Sequence, residues 1–104
     1  MHNVQKPTDK QLFKQIAQHN EEAIATLLDR YKNKFYTAIY VLVKDQYLCE
    51  DFFQEVCIKI INCIRDKKYK DDGKFLPWAM RLARNYTFDQ MRKMKQKAQI
   101  VTIE

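Results

Sequence analysis

Apolar residues return every three or four positions along nearly the whole chain, the spacing of one face of a helix. Leu12, Phe13, Ile16 and Ala17 predict a first helix over about 8–19. Thr8-x-x-Gln11 has the form of a capping box, with Pro7 just outside it. Asn20 is placed to cap a second helix over about 20–45, with Glu21 and Glu22 in its first turn, where the helix dipole favours carboxylates. Its apolar face runs through Ile24, Leu27, Leu28, Tyr31, Phe35, Ala38, Ile39, Leu42 and Val43. A third stripe, from Cys49 to Ile64, predicts a helix over about 48–65. The polar run at 66–74 reads as a loop. A fourth helix opens near Phe75 and continues to about Lys97, with Pro77 in its first turn, where the missing N–H costs nothing. Strand-like alternation is nearly absent. The pattern predicts an all-α fold, a compact bundle of about four helices. Residues 1–7 read as a lead-in and 8–97 as the domain.

Composition narrows this picture. The 104 residues suit one domain, and 46% hydrophobic content can supply its core. A single glycine, Gly73, excludes the Gly-rich phosphate loops. No apolar run approaches the ~18 residues of a membrane span, and residues 1–10 are too polar for a secretory leader. Cys49, Cys57 and Cys63 match no zinc spacing and read as small apolar side chains in a reducing cytoplasm. His2 and His19 stand apart from any carboxylate or thiol cluster. No metal, cofactor or catalytic residue is expected, and the chain reads as a monomer.

Charge is unevenly spread. Residues 1–62 carry eight Lys/Arg and eight Asp/Glu, whereas residues 63–104 carry eleven against five, so the whole excess of +6 lies in the last two-fifths. A localised basic segment points to a polyanion; a solvated helix end is the alternative. On a helical wheel the third helix shows a second busy face. Glu50, Asp51, Gln54 and Glu55 form an acidic arc, with Ile58 and Ile61 inside it and Leu48 at its edge. This is either a protein-docking patch with a charged rim or apolar packing under a neighbouring helix. On the fourth helix Arg81, Asn85, Asp89 and Arg92 share a face, with Phe88 beside it, while Ala79, Met80, Leu82, Ala83, Tyr86 and Met94 are expected in the core. The preceding loop adds Lys67, Lys68, Tyr69, Lys70 and Lys74. Cations answer phosphates, and an Asn with an aromatic suits an unpaired base better than a duplex groove. A helical adaptor that binds no nucleic acid stays open as the alternative function.

Two segments carry a resemblance. Cys49-Glu-Asp-Phe-Phe-Gln-Glu-Val-Cys-Ile-Lys-Ile-Ile61 resembles the A-E-D-L-x-Q-E-[VA]-F-[IL]-x-[IVA] signature of region 2 of extracytoplasmic-function sigma factors, members of the sigma-70 family of bacterial RNA polymerase. Phe75 to Arg92 resembles the family's F-x-x-W-L-x-x-I-A-x-N-x-x-x-D-x-x-R. Upstream, Ala23 through Tyr40 resembles the family's L-x-x-x-Y-x-x-x-[LF]-Y-x-x-A frame. The departures, Cys49 for Ala, Cys57 for Phe and Ala79 for Leu, fall on the core side.

The resemblance implies a domain that docks on the β′ clamp helices of core RNA polymerase and melts the promoter −10 element by capturing an unstacked base of the non-template strand. It implies polymerase contacts at Leu48, Glu50, Asp51, Gln54, Glu55 and Ile58. It implies a base pocket at Tyr69, Leu82 and Asn85 with Arg65, and backbone contacts from Lys67, Lys68, Lys70, Arg81, Arg84 and Arg92. Trp78 is the family's tryptophan and is expected to pack in the core. An anti-sigma factor is an expected partner. Residues 98–104 are expected to begin a linker, with the −35-reading domain (region 4) absent from this chain.

Overall fold

The computed structural model describes residues 6–103, with side chains through Ala98. Four helices follow in order: α1 (Asp9–Ala17), α2 (Glu21–Val43), α3 (Gln46–Arg65) and α4 (Phe75–Ile103). No strand occurs among the described residues. The fold is all-α, as the pattern predicts.

Local chemistry sets the helix ends. The Gln11 N–H donates to the Thr8 hydroxyl at 3.1 Å, and the Thr8 N–H donates to the Gln11 side-chain carbonyl at 2.8 Å, closing the capping box. Asn20 accepts from the Glu22 N–H at 3.1 Å. The α2–α3 corner is tighter than expected. Lys44 ends α2 in a left-handed conformation (φ 52°), and Asp45 accepts from the Leu48 N–H at 3.0 Å, so α3 starts at Gln46 and not at Leu48. Helix α4 runs past Lys97 to Ile103. No Gly or Pro interrupts it there, and Gln96, Lys97 and Ala98 favour helix.

All four helices share one core. Leu12 of α1, Leu27, Phe35 and Ile39 of α2, Cys49, Val56 and Ile60 of α3, and Phe75, Ala79 and Ala83 of α4 belong to it, all nearly or fully buried. Two alanines at the centre of the α4 face let its backbone approach α2 and α3 closely. Thr87 continues that buried face, its hydroxyl donating to the Ala83 carbonyl at 2.8 Å. Met94, expected in the core, is 44% exposed. Its wheel angle is that of the core face, but it lies beyond the height at which the other helices can cover α4.

A polar clasp ties α1 to α2. Asp9 accepts from Arg30 at 2.7 Å and from the Tyr31 hydroxyl at 2.5 Å, and Arg30 also donates to the Pro7 carbonyl. Burial, and then Asp9, raise the Tyr31 phenol above its ordinary value. Pro7, read as lead-in, is therefore held; residues 1–5 of that lead-in lie outside the described residues.

Candidate functional site

Two surfaces stand out, and α3 contributes to both. Along its outer ridge Glu50, Asp51, Gln54, Glu55 and Ile58 are all exposed. Ile58 is 49% exposed, whereas Ile61 packs against the core and Leu48 is half-buried there. Of the two isoleucines in this arc, Ile61 is covered by the chain's own helices and Ile58 is not. Gln46 donates to Glu50 at 3.3 Å. Among the described residues, Glu50, Asp51 and Glu55 have no cationic partner. Tyr47, 82% exposed, belongs to the same ridge, one turn before Glu50. Placing the helix start at Leu48 hid it; Asp45, as a capping residue, was the available signal.

The second surface is a groove of about 760 Å³ between the C-terminal half of α3 and α4. Lys59 and Cys63 line one wall; Trp78, Arg81, Leu82, Asn85, Tyr86, Phe88, Asp89 and Arg92 line the other. Asn85 and Arg81 are exposed, Leu82 half-buried between them. Among the described residues Arg81 has no carboxylate partner, whereas Arg92 and Lys93 both pair with Asp89. The Lys59 ammonium sits 5.4 Å from the Tyr86 ring centre. Burial raises the Tyr86 phenol, with smaller contributions from Glu55 and Asp51. Tyr86 and Lys59 therefore mark the seam where acidic ridge and basic groove meet. Sequence reasoning missed Lys59 and Cys63 because they join the groove across a helix pair.

The 66–74 loop is anchored. The Lys68 and Tyr69 N–H groups both donate to the Cys63 carbonyl, at 2.9 and 3.3 Å. Asp71 and Asp72 accept from the Gly73 and Lys74 N–H groups, both at 3.1 Å, and Gly73 supplies φ 83°, which suits glycine. The Tyr69 ring packs against Trp78 (4.5 Å between centres), Phe13 (5.4 Å) and Phe75 (5.8 Å). Burial chiefly, with Asp71 and Asp72, pushes its phenol up to about 12. Trp78 is half-buried in this cluster while its edge reaches the groove.

The remaining expected nucleic-acid residues are scattered. Lys68, Tyr69 and Lys70 share a smaller hollow with Lys74, Trp78 and Arg81, continuous with the groove through the last two. Arg65 and Lys67 border a separate cavity beside α1 and α2, where Arg65 pairs with Glu21 at 2.6 Å. Arg84 faces another hollow, between α2 and α4, with Val41, Leu42, Leu76 and Met80. Arg81, Leu82, Asn85 and Arg92 are thus brought together; Arg65, Lys67 and Arg84 are not with them.

The protein-family model described as Sigma-70 region 2 matches residues 27–97, which take in most of α2, all of α3, the loop and most of α4. The chain is 31% identical over 86 residues to the ECF RNA polymerase sigma factor SigW of Bacillus subtilis (strain 168), covering 83% of this chain and 45% of that protein. It is 31% identical over 75 residues to SigX of the same organism, covering 72% and 38%. The chain spans less than half the length of these relatives. With a family match across most of its helices, the chain belongs to the sigma-70 family, as a region 2 domain of the extracytoplasmic-function kind.

Proposed function

We propose that this domain serves RNA polymerase as part of a sigma factor, docking on the core enzyme through the α3 ridge and capturing an unpaired base of the promoter −10 element in the α3–α4 groove. The polymerase side comprises Glu50, Asp51, Gln54, Glu55 and Ile58, edged by Leu48, where carboxylates ring one exposed isoleucine. The DNA side comprises Asn85 and Leu82 for the base and Arg81 and Arg92 for phosphates, with Lys68, Tyr69 and Lys70 at its edge. Arg65, Lys67 and Arg84 reach DNA only where the strand leaves the groove. The observation that carries this reading is the exposed Asn85 amide in one groove with the half-buried Leu82 and with Arg81, which among the described residues has no carboxylate partner. An amide offers both donor and acceptor to a base edge, and the guanidinium answers the adjoining phosphate. Opening the duplex here is binding: contacts to the extruded base offset the few kcal/mol of lost stacking. An anti-sigma factor that competes for the same surfaces fits this role.

The test uses two ligands: a labelled short single strand selected from a randomised pool, and a β′ clamp-helix fragment. Asn85→Ala weakens DNA alone and Asp51→Arg weakens β′ alone. If the protein binds neither ligand, even in the presence of the other, the assignment is wrong. If it binds β′ while DNA affinity shows a log–log salt slope near zero, the adaptor reading replaces the DNA half.

A further inference from the structure

We propose that Phe88 is a stacking platform for a second unpaired base, so that the groove holds two consecutive nucleotides, one at Asn85 and its neighbour on the Phe88 ring. This rests on the single-strand reading of the groove. Phe88 is 52% exposed, and among the described residues its ring meets no other aromatic, unlike Tyr69, Phe75 and Trp78 nearby. Around it the groove wall carries Arg81, Asn85, Asp89 and Arg92 of its own helix, with Leu82 and Tyr86 among them. A bare aromatic among cations and an amide suits a ligand that joins flat apolar rings to a phosphate backbone.

The spacing agrees. Asn85 and Phe88 are three residues apart, about 4.5 Å along the helix axis at ~1.5 Å per residue. A nucleotide step is about 3.4 Å when the strand is stacked and longer when it is not, so where an unpaired strand follows α4 a base engaged by Asn85 can lay its neighbour on the Phe88 ring. Arg81 and Arg92 lie on the same face, one to either side of this pair, placed for the phosphates on either side of the two bases. Asp89 does not oppose this arrangement, because its carboxylate is already engaged by Arg92 and Lys93.

The experiment uses the whole chain and the short strand selected above, with an abasic site moved through each position in turn. Phe88→Ala and Phe88→Leu are each expected to weaken the strand about tenfold, the scale of one lost base–aromatic stack. Phe88→Trp keeps wild-type affinity or improves it. At one position next to the base that Asn85 engages, the abasic strand binds wild type and Phe88→Ala equally, since the partner of the ring is gone. Wild-type affinity in Phe88→Leu overturns the proposal, because apolar bulk then suffices. So does an alanine penalty that persists at every abasic position, or a matching loss of β′ fragment binding, which makes Phe88 a protein contact. If Asn85→Ala weakens the strand and Phe88→Ala does not, this inference alone fails. If wild type binds no strand in a salt-dependent way, the reading of the groove fails with it.

Discussion

The acidic ridge and the basic groove are built differently. The ridge belongs to one helix: its members follow each other at intervals of three and four on α3, and their relative positions survive any shift of the other helices. The groove has one wall on α3 and one on α4, with a lysine-bearing loop at its rim, so its shape depends on how α4 sits. A surface on one helix needs only that helix to be folded. A surface between helices needs the core to be packed correctly, so the two surfaces should respond differently to the same damage.

The largest effect is expected from Phe75→Ala. Phe75 is buried and holds the loop cluster through Tyr69 and Trp78. Its removal is expected to cost about 3–5 kcal/mol, read as a lower midpoint in urea. Single-strand affinity should fall at temperatures where β′ fragment binding persists; equal loss of both would mean that the ridge depends on the core as much as the groove does. Next is Ala83→Leu, which forces bulk between α4 and its neighbours and should cost about 1–3 kcal/mol. It should alter the groove and spare the ridge. A smaller effect separates two arginines. Arg81→Ala should reduce the salt slope of strand binding by about 1, and Arg84→Ala should leave it nearly unchanged, since Arg84 faces the α2–α4 hollow. Equal effects from both would redraw the groove.

The smallest effect is alkaline. Tyr69 titrates near 10 when unfolded and at about 12 in the fold, so the folded state keeps its proton longer. Its contribution is fully present below pH ~10 and declines as pH rises from about 10 to about 12. Tyr69→Phe should make the alkaline limb of the stability curve shallower, measured by urea midpoints across that range.

The same contrast governs what could be read beforehand. Residues defined by one helix were legible: the capping box, the core stripes and the α3 ridge follow from period and side-chain type alone. One capping residue, Asp45, was misread, and that shortened α3 and concealed Tyr47. Positions that depend on helix pairs were legible only in part. A wheel separates the core arc of α4 from its outside, but does not say which flank faces α3 and which faces α2. Arg81 lies on the flank that faces α3 and Arg84 on the flank that faces α2. Met94 had the right angle and the wrong height. The anchoring of Tyr69 was not legible from its place in a polar loop, because four rings from α1, the loop and α4 meet only after folding.

Trp78 is the sole tryptophan of the chain, and it touches both the Tyr69 cluster and the groove wall. Its indole gives the molecule a built-in optical gauge at the mouth where a strand would enter. Excitation near the red edge of protein absorption reports from that one spot, so filling of the site can be followed by emission from the unlabelled protein.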